Sequence, residues 1–193
     1  MKLCPSFALA AVLAAPLLAA SLEITIEPVF NGEPLRLDSL RYENSACETL
    51  SVTRLSYLLS GLALESDDGQ WIEFPQSTAW MDAAARRNTL KLENAPAKKF
   101  RSLRFHIGPD AVANAADVAK IPASNPLNPN LNGLHWSWQG GYIFLAVEGH
   151  YRMGNAAPNG YAHHLARDPN RTCINLGTAL DLQHDVGVLI HFD

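Results

Sequence analysis

The sequence is poor in the residues that most readily announce chemistry. It has three cysteines and three methionines among 193 residues, and Cys4 lies in the extreme N-terminal segment. Neither remaining thiol, Cys47 or Cys173, has a second cysteine at metal-ligand spacing, which excludes zinc-ribbon and iron–sulfur frameworks. Charge is also scarce and of mixed sign: 15 Lys and Arg stand against 19 Asp and Glu, a net −4. Basic residues adjoin only as the pairs Arg86-Arg87 and Lys98-Lys99, so the chain has no electrostatic footprint for nucleic acid. Nucleophile elbows, phosphate loops and helical zinc-protease motifs are absent. The scattered carboxylates form no acid/base pair recognisable by spacing. Internal repeats and low-complexity tracts are missing too, and there is one long apolar run.

That run, residues 7–20, follows Met1-Lys2 and ends in small residues. It is short for a membrane span and leads straight into polar alternation, so it reads as a secretory signal cleaved near Ala20-Ser21. The expected products are a leader over residues 1–20 and one mature domain over 21–193, periplasmic or secreted and without stable membrane insertion. Cys4 leaves with the leader. In that compartment Cys47 and Cys173 are expected to form a disulfide closing a loop on the order of 100 residues, a constraint contributing about 4–5 kcal/mol. The competing reading makes them thiol ligands of a soft metal ion.

The mature segment reads as strand after strand. Residues 21–30 alternate Leu22, Ile24 and Ile26 against Glu23, Thr25 and Glu27, the pattern of a half-buried strand. Residues 34–37 make a short strand, and 50–64 one long strand bent at Gly61. Asp67-Asp68-Gly69 signals a hairpin into 71–74. Further strands are predicted over 89–93, 100–107, 142–153, 161–166, 172–182 and 186–192. Residues 77–87 read as a helix capped by Ser77 or Thr78, with Trp80, Ala83 and Ala84 on its buried face. Residues 110–120 are Ala-rich, a short helix or irregular loop. Residues 121–133 carry Pro122, Pro126 and Pro129 among Asn and Ser, a long loop of the kind that carries function. The sum is an all-β antiparallel sandwich with one or two short helices and a long Pro/Asn-rich loop. The sequence stops on an alternating strand with no tail, as a shortened chain would.

What is present in quantity is histidine, seven in all, and a dense aromatic head on the strand at 142–153. The head runs His135-Trp136-Ser137-Trp138-Gln139-Gly140-Gly141. Imidazole suits copper, zinc, nickel and iron, and His135 stands where the long loop meets the strand. His163 and His164 are neighbours on one strand and so point to opposite faces; only one can face a given site. His106 sits near a strand end and can face either way. His150 shares parity with Glu148 and Arg152 on a solvated face, His191 is exposed by alternation, and His184 falls in a polar turn. Trp136 and Trp138 share parity opposite His135, unless a bulge at the Gly pair changes this. Two readings stay open for the indoles: a cover over the core, or part of a metal site.

Several stretches resemble the methanobactin-associated periplasmic copper-binding family, the MbnP-like proteins. They are Asn125-Pro126-Leu127-Asn128-Pro129, then Gly133-Leu134-His135-Trp136-Ser137-Trp138-Gln139-Gly140-Gly141-Tyr142-Ile143-Phe144, and Glu148-Gly149. Leu55-Ser56-Tyr57-Leu58-Leu59-Ser60 and Tyr161-Ala162-His163-His164-Leu165 agree as well. The resemblance implies copper as cofactor, a secreted bacterial location and a di-haem, MauG-like peroxidase as partner. It also implies that a tryptophan, here Trp136 or Trp138, is oxidised to kynurenine and joins His164 at the metal. His135 is added from its position, with His106 and His163 as further candidates. Where relatives carry a histidine after the loop asparagine, this chain has Ala115 after Asn114, so His106 or His135 must substitute or a ligand is missing. The expected function is copper acquisition, storage or delivery, without catalysis. The rivals are a metal-free module docking a partner on Trp136 and Trp138, and a copper redox enzyme.

Overall fold

The computed structural model describes residues 19–193. The predicted leader lies outside the described residues up to position 18, and the first strand begins at Ala19. The strands are β1 (Ala19–Phe30), β2 (Glu33–Pro34), β3 (Tyr42–Glu43), β4 (Glu48–Ser66), β5 (Trp71–Phe74) and β6 (Ala79–Asp82). They continue as β7 (Thr89–Pro96), β8 (Lys99–Ile107), β9 (Ile143–Met153), β10 (Asn159–Ala166), β11 (Thr172–Asp181) and β12 (Val186–Phe192). Two one-turn helices, α1 (Ala111–Asn114) and α2 (Pro129–Asn132), interrupt the connection from β8 to β9. The all-β sandwich expected from the alternation is the fold.

The larger sheet runs β10-β9-β4-β8-β11, with β3, β5 and β6 also paired to β4. The smaller sheet is built on β1, flanked by β12 and β7, with β2 at its end. All pairings are antiparallel but one: β12 runs parallel to β1, Leu22 opposite Val186 through Pro28 opposite Phe192. A parallel pair needs a long crossover, and here the body of the domain supplies it. β4 spans 19 residues. It bends where predicted, at Gly61, whose φ of +58° marks a register shift between Ser60 and Ala63.

The larger sheet packs a buried cluster on each of its faces. Its inner face sets Leu55, Tyr57, Leu59, Leu62 and Leu64 of β4 against Leu22, Ile24 and Ile26 of β1. Its outer face carries Leu58, Phe144 and Ala146, covered by Leu134, Tyr142 and the long loop. A loop laid on a sheet has no ladder to satisfy its backbone, so side chains must do so. The asparagines serve that need. Asn128 donates to the Ile121 carbonyl at 2.8 Å and accepts from the Asn130 amide at 2.9 Å. Asn132 donates to the Pro126 carbonyl at 2.7 Å and accepts from the Leu134 amide at 2.6 Å. Both are buried, at 7% and 4% exposure.

One predicted element is corrected. The helix expected over residues 77–87 is β6 followed by a tight turn. Ser56, Tyr57, Leu58 and Leu59 of β4 pair with Asp82, Met81, Trp80 and Ala79, and the Asp82 and Arg87 amides and carbonyls bond reciprocally at 2.8 and 2.9 Å. The alanine-rich propensity is overridden by ladder pairing and by burial of Met81 at 1% exposure. Trp80 is an anchor as expected, but on the outer face, its Nε1 donating to Ser56 Oγ at 2.8 Å. Replacing Asn132 by alanine orphans the Leu134 amide and the Pro126 carbonyl, and is expected to lower stability by about 1–3 kcal/mol in urea unfolding. Tryptophan emission should shift in the folded variant, because the same loop seats Trp136.

Candidate metal site

The aromatic head is a reversed turn stitched onto the end of β9. The Ile143 amide bonds the Leu134 carbonyl at 2.9 Å, Trp136 N–H bonds the Gly141 carbonyl at 3.1 Å, and Gly140 N–H returns to the Trp136 carbonyl at 2.8 Å. Gly140 and Gly141 both lie at positive φ, +74° and +84°, a pair of left-handed steps that only glycine makes readily. A Cβ on Gly141 would also lie 3.2 Å from Asn114 Oδ1, the atom that accepts from the Tyr142 amide at 2.8 Å. Trp136 and Trp138 are thereby brought together, ring centroids 5.7 Å apart and tilted by 38°. Trp136 is half-buried, whereas Trp138 is 76% exposed.

Trp136 leans toward His164, 6.4 Å between ring centroids. His164 sits on β10 opposite Ala146 of β9, and Glu148 lies one pair further along on the same face. Glu148 Oε1 is 2.9 Å from His164 Nε2 and 2.9 Å from Arg54 Nη1. The His164 hydrogen bond and the Arg54 guanidinium hold the Glu148 carboxyl below the usual carboxylate range. With Nε2–H given to Glu148, the Nδ1 lone pair of His164 is the free donor, the carboxylate–histidine pairing that orients metal-binding imidazoles. Glu148 and Arg54 were not among the sequence candidates. The signal was present in the Glu148-Gly149 dipeptide, but strand parity alone puts Glu148 on a solvated face, and its diagonal partner on β10 becomes visible only with the register.

The other candidates do not join this corner. His135 turns its ring edge-on to Tyr142, 5.1 Å between centroids, at an interplanar angle of 79°. It borders a hollow of about 480 Å³ together with Asn114, Ala115, Asp117 and Asp168. Burial pushes its pKa down. Ala115 thus edges the same hollow as His135. His163 points to the inner face, stacked on Tyr161 at 5.5 Å. His106 pairs across from Ser60 of β4, three strands from His164 and so roughly 14 Å away laterally. Burial, then Arg171 and Arg104, push its pKa down, a setting hostile to a cation.

The expected disulfide is also corrected. Cys47 and Cys173 are exposed and unpaired. Cys173 lies opposite His106, and His106 opposite Ser60. Ser60 is in the far half of β4, which begins beside Cys47, roughly 40 Å along the strand at about 3.3 Å per residue. A disulfide requires Cα atoms within about 7 Å. The two cysteines are therefore far outside disulfide reach.

Among the described residues no three His, Cys, Asp or Glu side chains converge as a metal cluster. The corner at Trp136 offers one imidazole donor, and an intact indole adds none. As unmodified residues these side chains do not complete a metal site. No helix of the described residues is long and apolar enough to cross a membrane.

A two-layer all-β sandwich whose large sheet is capped by an Asn/Pro loop ending in a Trp-His corner defines the class. The MbnP family model matches residues 19–191, and the chain belongs to that family. The fold is similar to that of MbnP from Methylosinus trichosporium, with a TM-score of 0.58 at 15% identity, covering 85% of this chain and 72% of that one. No curated protein sequence matches significantly.

The Glu148 interaction has a definite pH signature. A carboxyl whose folded pKa is lowered adds stability above its unfolded pKa of about 4.3 and loses it as pH falls through the folded value. Urea unfolding of wild type and Glu148→Gln across acid pH should therefore show a stability gap that is full near neutrality, narrows below about pH 4.3 and closes in stronger acid.

Proposed function

We propose that this protein is a periplasmic or secreted copper binder that takes up, holds or delivers the metal and is not itself a catalyst. The observation that carries the reading is the half-buried Trp136 ring against an imidazole whose other nitrogen is fixed by Glu148. Oxidative opening of the Trp136 indole to kynurenine exchanges a ring with no free lone pair for an aniline nitrogen and a ketone oxygen. Those atoms together with His164 Nδ1 would hold copper, for which imidazole is a suitable ligand. Trp136 is favoured over Trp138 as the modified residue because it faces His164 and is partly shielded. Trp138, at 76% exposure, is then a natural contact for the oxidising partner, a di-haem MauG-like peroxidase. Glu148 orients the imidazole, and the His164 hydrogen bond with Arg54 beside it keeps Glu148 ionised.

Two measurements test this. Coexpression with the di-haem peroxidase should yield protein with a net gain of one oxygen and loss of one carbon. Peptide mapping should put that change on Trp136; its appearance on Trp138 alone would move the site. In copper titration of the modified protein, His164→Ala should abolish tight uptake and Glu148→Gln should weaken it by about 10–100-fold, the usual effect of removing an orienting partner. Unchanged affinity in His164→Ala would remove that residue from the site. Ala115→His separates the two flanks of the turn: tighter copper binding there would shift the metal to the hollow beside His135.

A further inference from the structure

The inner face of the larger sheet is not covered along its whole length. Where the ends of β1 and β12 part from β4, β9 and β10, the layers leave a cavity of about 660 Å³ open to solvent on one side, the size of small-molecule sites. Its walls include Val52, Leu55, Val147, Phe30, Tyr161 and Phe192. Several of these are only half-buried, although they occupy inward positions of their strands. Apolar side chains facing inward yet left partly uncovered forgo contacts that close packing would give. Tyr161 is held in the wall by its hydroxyl, which donates to the Ser51 carbonyl at 2.9 Å.

Polar groups gather at the rim with one predominant sign. Glu48 and Asp193 are both there, with His163 across from them, and among the described residues no lysine or arginine lines the space. Asp193 is committed to the turn at the end of β1, accepting from the Asn31 and Gly32 amides at 2.8 and 3.1 Å. Glu48 is engaged through one oxygen only, Oε2, which accepts from Asn44 Nδ2 at 2.8 Å. Its second oxygen is free to accept from a ligand.

We infer that this cavity is a binding site for a small amphipathic amine, with its apolar body between the sheets and its ammonium head on Glu48. Aromatic walls and a rim of carboxylates suit a cation and repel an anion of the same shape. The site is independent of the copper reading. His163 belongs to the cavity and His164 to the Trp136 corner, so adjacent residues of β10 serve opposite faces of one sheet.

The test uses the purified full chain with the neutral fluorophore N-phenylnaphthylamine, in mildly alkaline buffer, competed by dodecylammonium or dodecanoate below their micelle concentrations. Saturable fluorescence is expected, with dodecylammonium displacing the probe at least about tenfold better than dodecanoate. Val52→Trp fills the cavity and should abolish probe binding while circular dichroism remains native. Glu48→Gln, at the rim, should keep probe binding and erase the preference for the amine. His164→Ala should bind the probe as wild type does. A folded Val52→Trp with undiminished probe binding, equal competition by the acid, or an amine preference surviving Glu48→Gln would each overturn the assignment; the last holds even if Val52→Trp does not fold.

Discussion

The structure depends on satisfying the backbone of a loop that lies on the outer face of the larger sheet as a partial third layer. The outer face of the larger sheet presents Leu58, Phe144 and Ala146, all fully shielded, and a loop rather than a layer of strands shields them. That arrangement holds only if the loop's amides and carbonyls find partners away from water. Asn114, Asn125, Asn128 and Asn132 supply them with side-chain amides, each of which can donate and accept at once. The Asn-Pro-Leu-Asn-Pro run is thus a hydrogen-bonding scaffold, with Pro129 in the first turn of α2, where an amide has no intrahelical partner. The tryptophan head is placed by that scaffold, since Asn132 fixes Leu134 and Asn114 fixes Tyr142, the two ends of the turn.

The site then follows from two periods meeting. Strand pairing with a repeat of two sets Glu148 and His164 diagonally on one face, while the glycine pair folds the loop so that Trp136 arrives over them. Neither part alone makes a corner. The result is a pre-oriented imidazole beside a ring that must be chemically changed before it could share a metal ion.

Much of this was readable in the sequence, and the failures have physical causes. The strands announced themselves through alternation, and the bend in β4 through Gly61. The division between His163 and His164 needed only the pleat. Residues 77–87 misled because alanine-rich local preference is weak against pairing with a long neighbouring strand. The cysteines misled because compartment and count say nothing about distance, and only the register shows how far apart along β4 they fall. Glu148 was hidden for the same reason: its partners on β10 and β4 are remote in sequence. The parallel closure of β12 on β1 left no local trace, since a hydrophobic alternation does not state its direction.

That closure bears on how the chain becomes a protein. β1 and β12 are tied by contacts across most of the sequence, among them the Ser21 amide to Asp185, 164 positions apart. Contacts of such long range are reached late, because the loop between them must be ordered first. β1 precedes its parallel neighbour by most of the described chain, so one edge of the smaller sheet stays open until β12 is added. The larger sheet and its loop can assemble meanwhile. β12 is therefore the clasp of the domain, and the smaller sheet is completed only after that strand has joined β1.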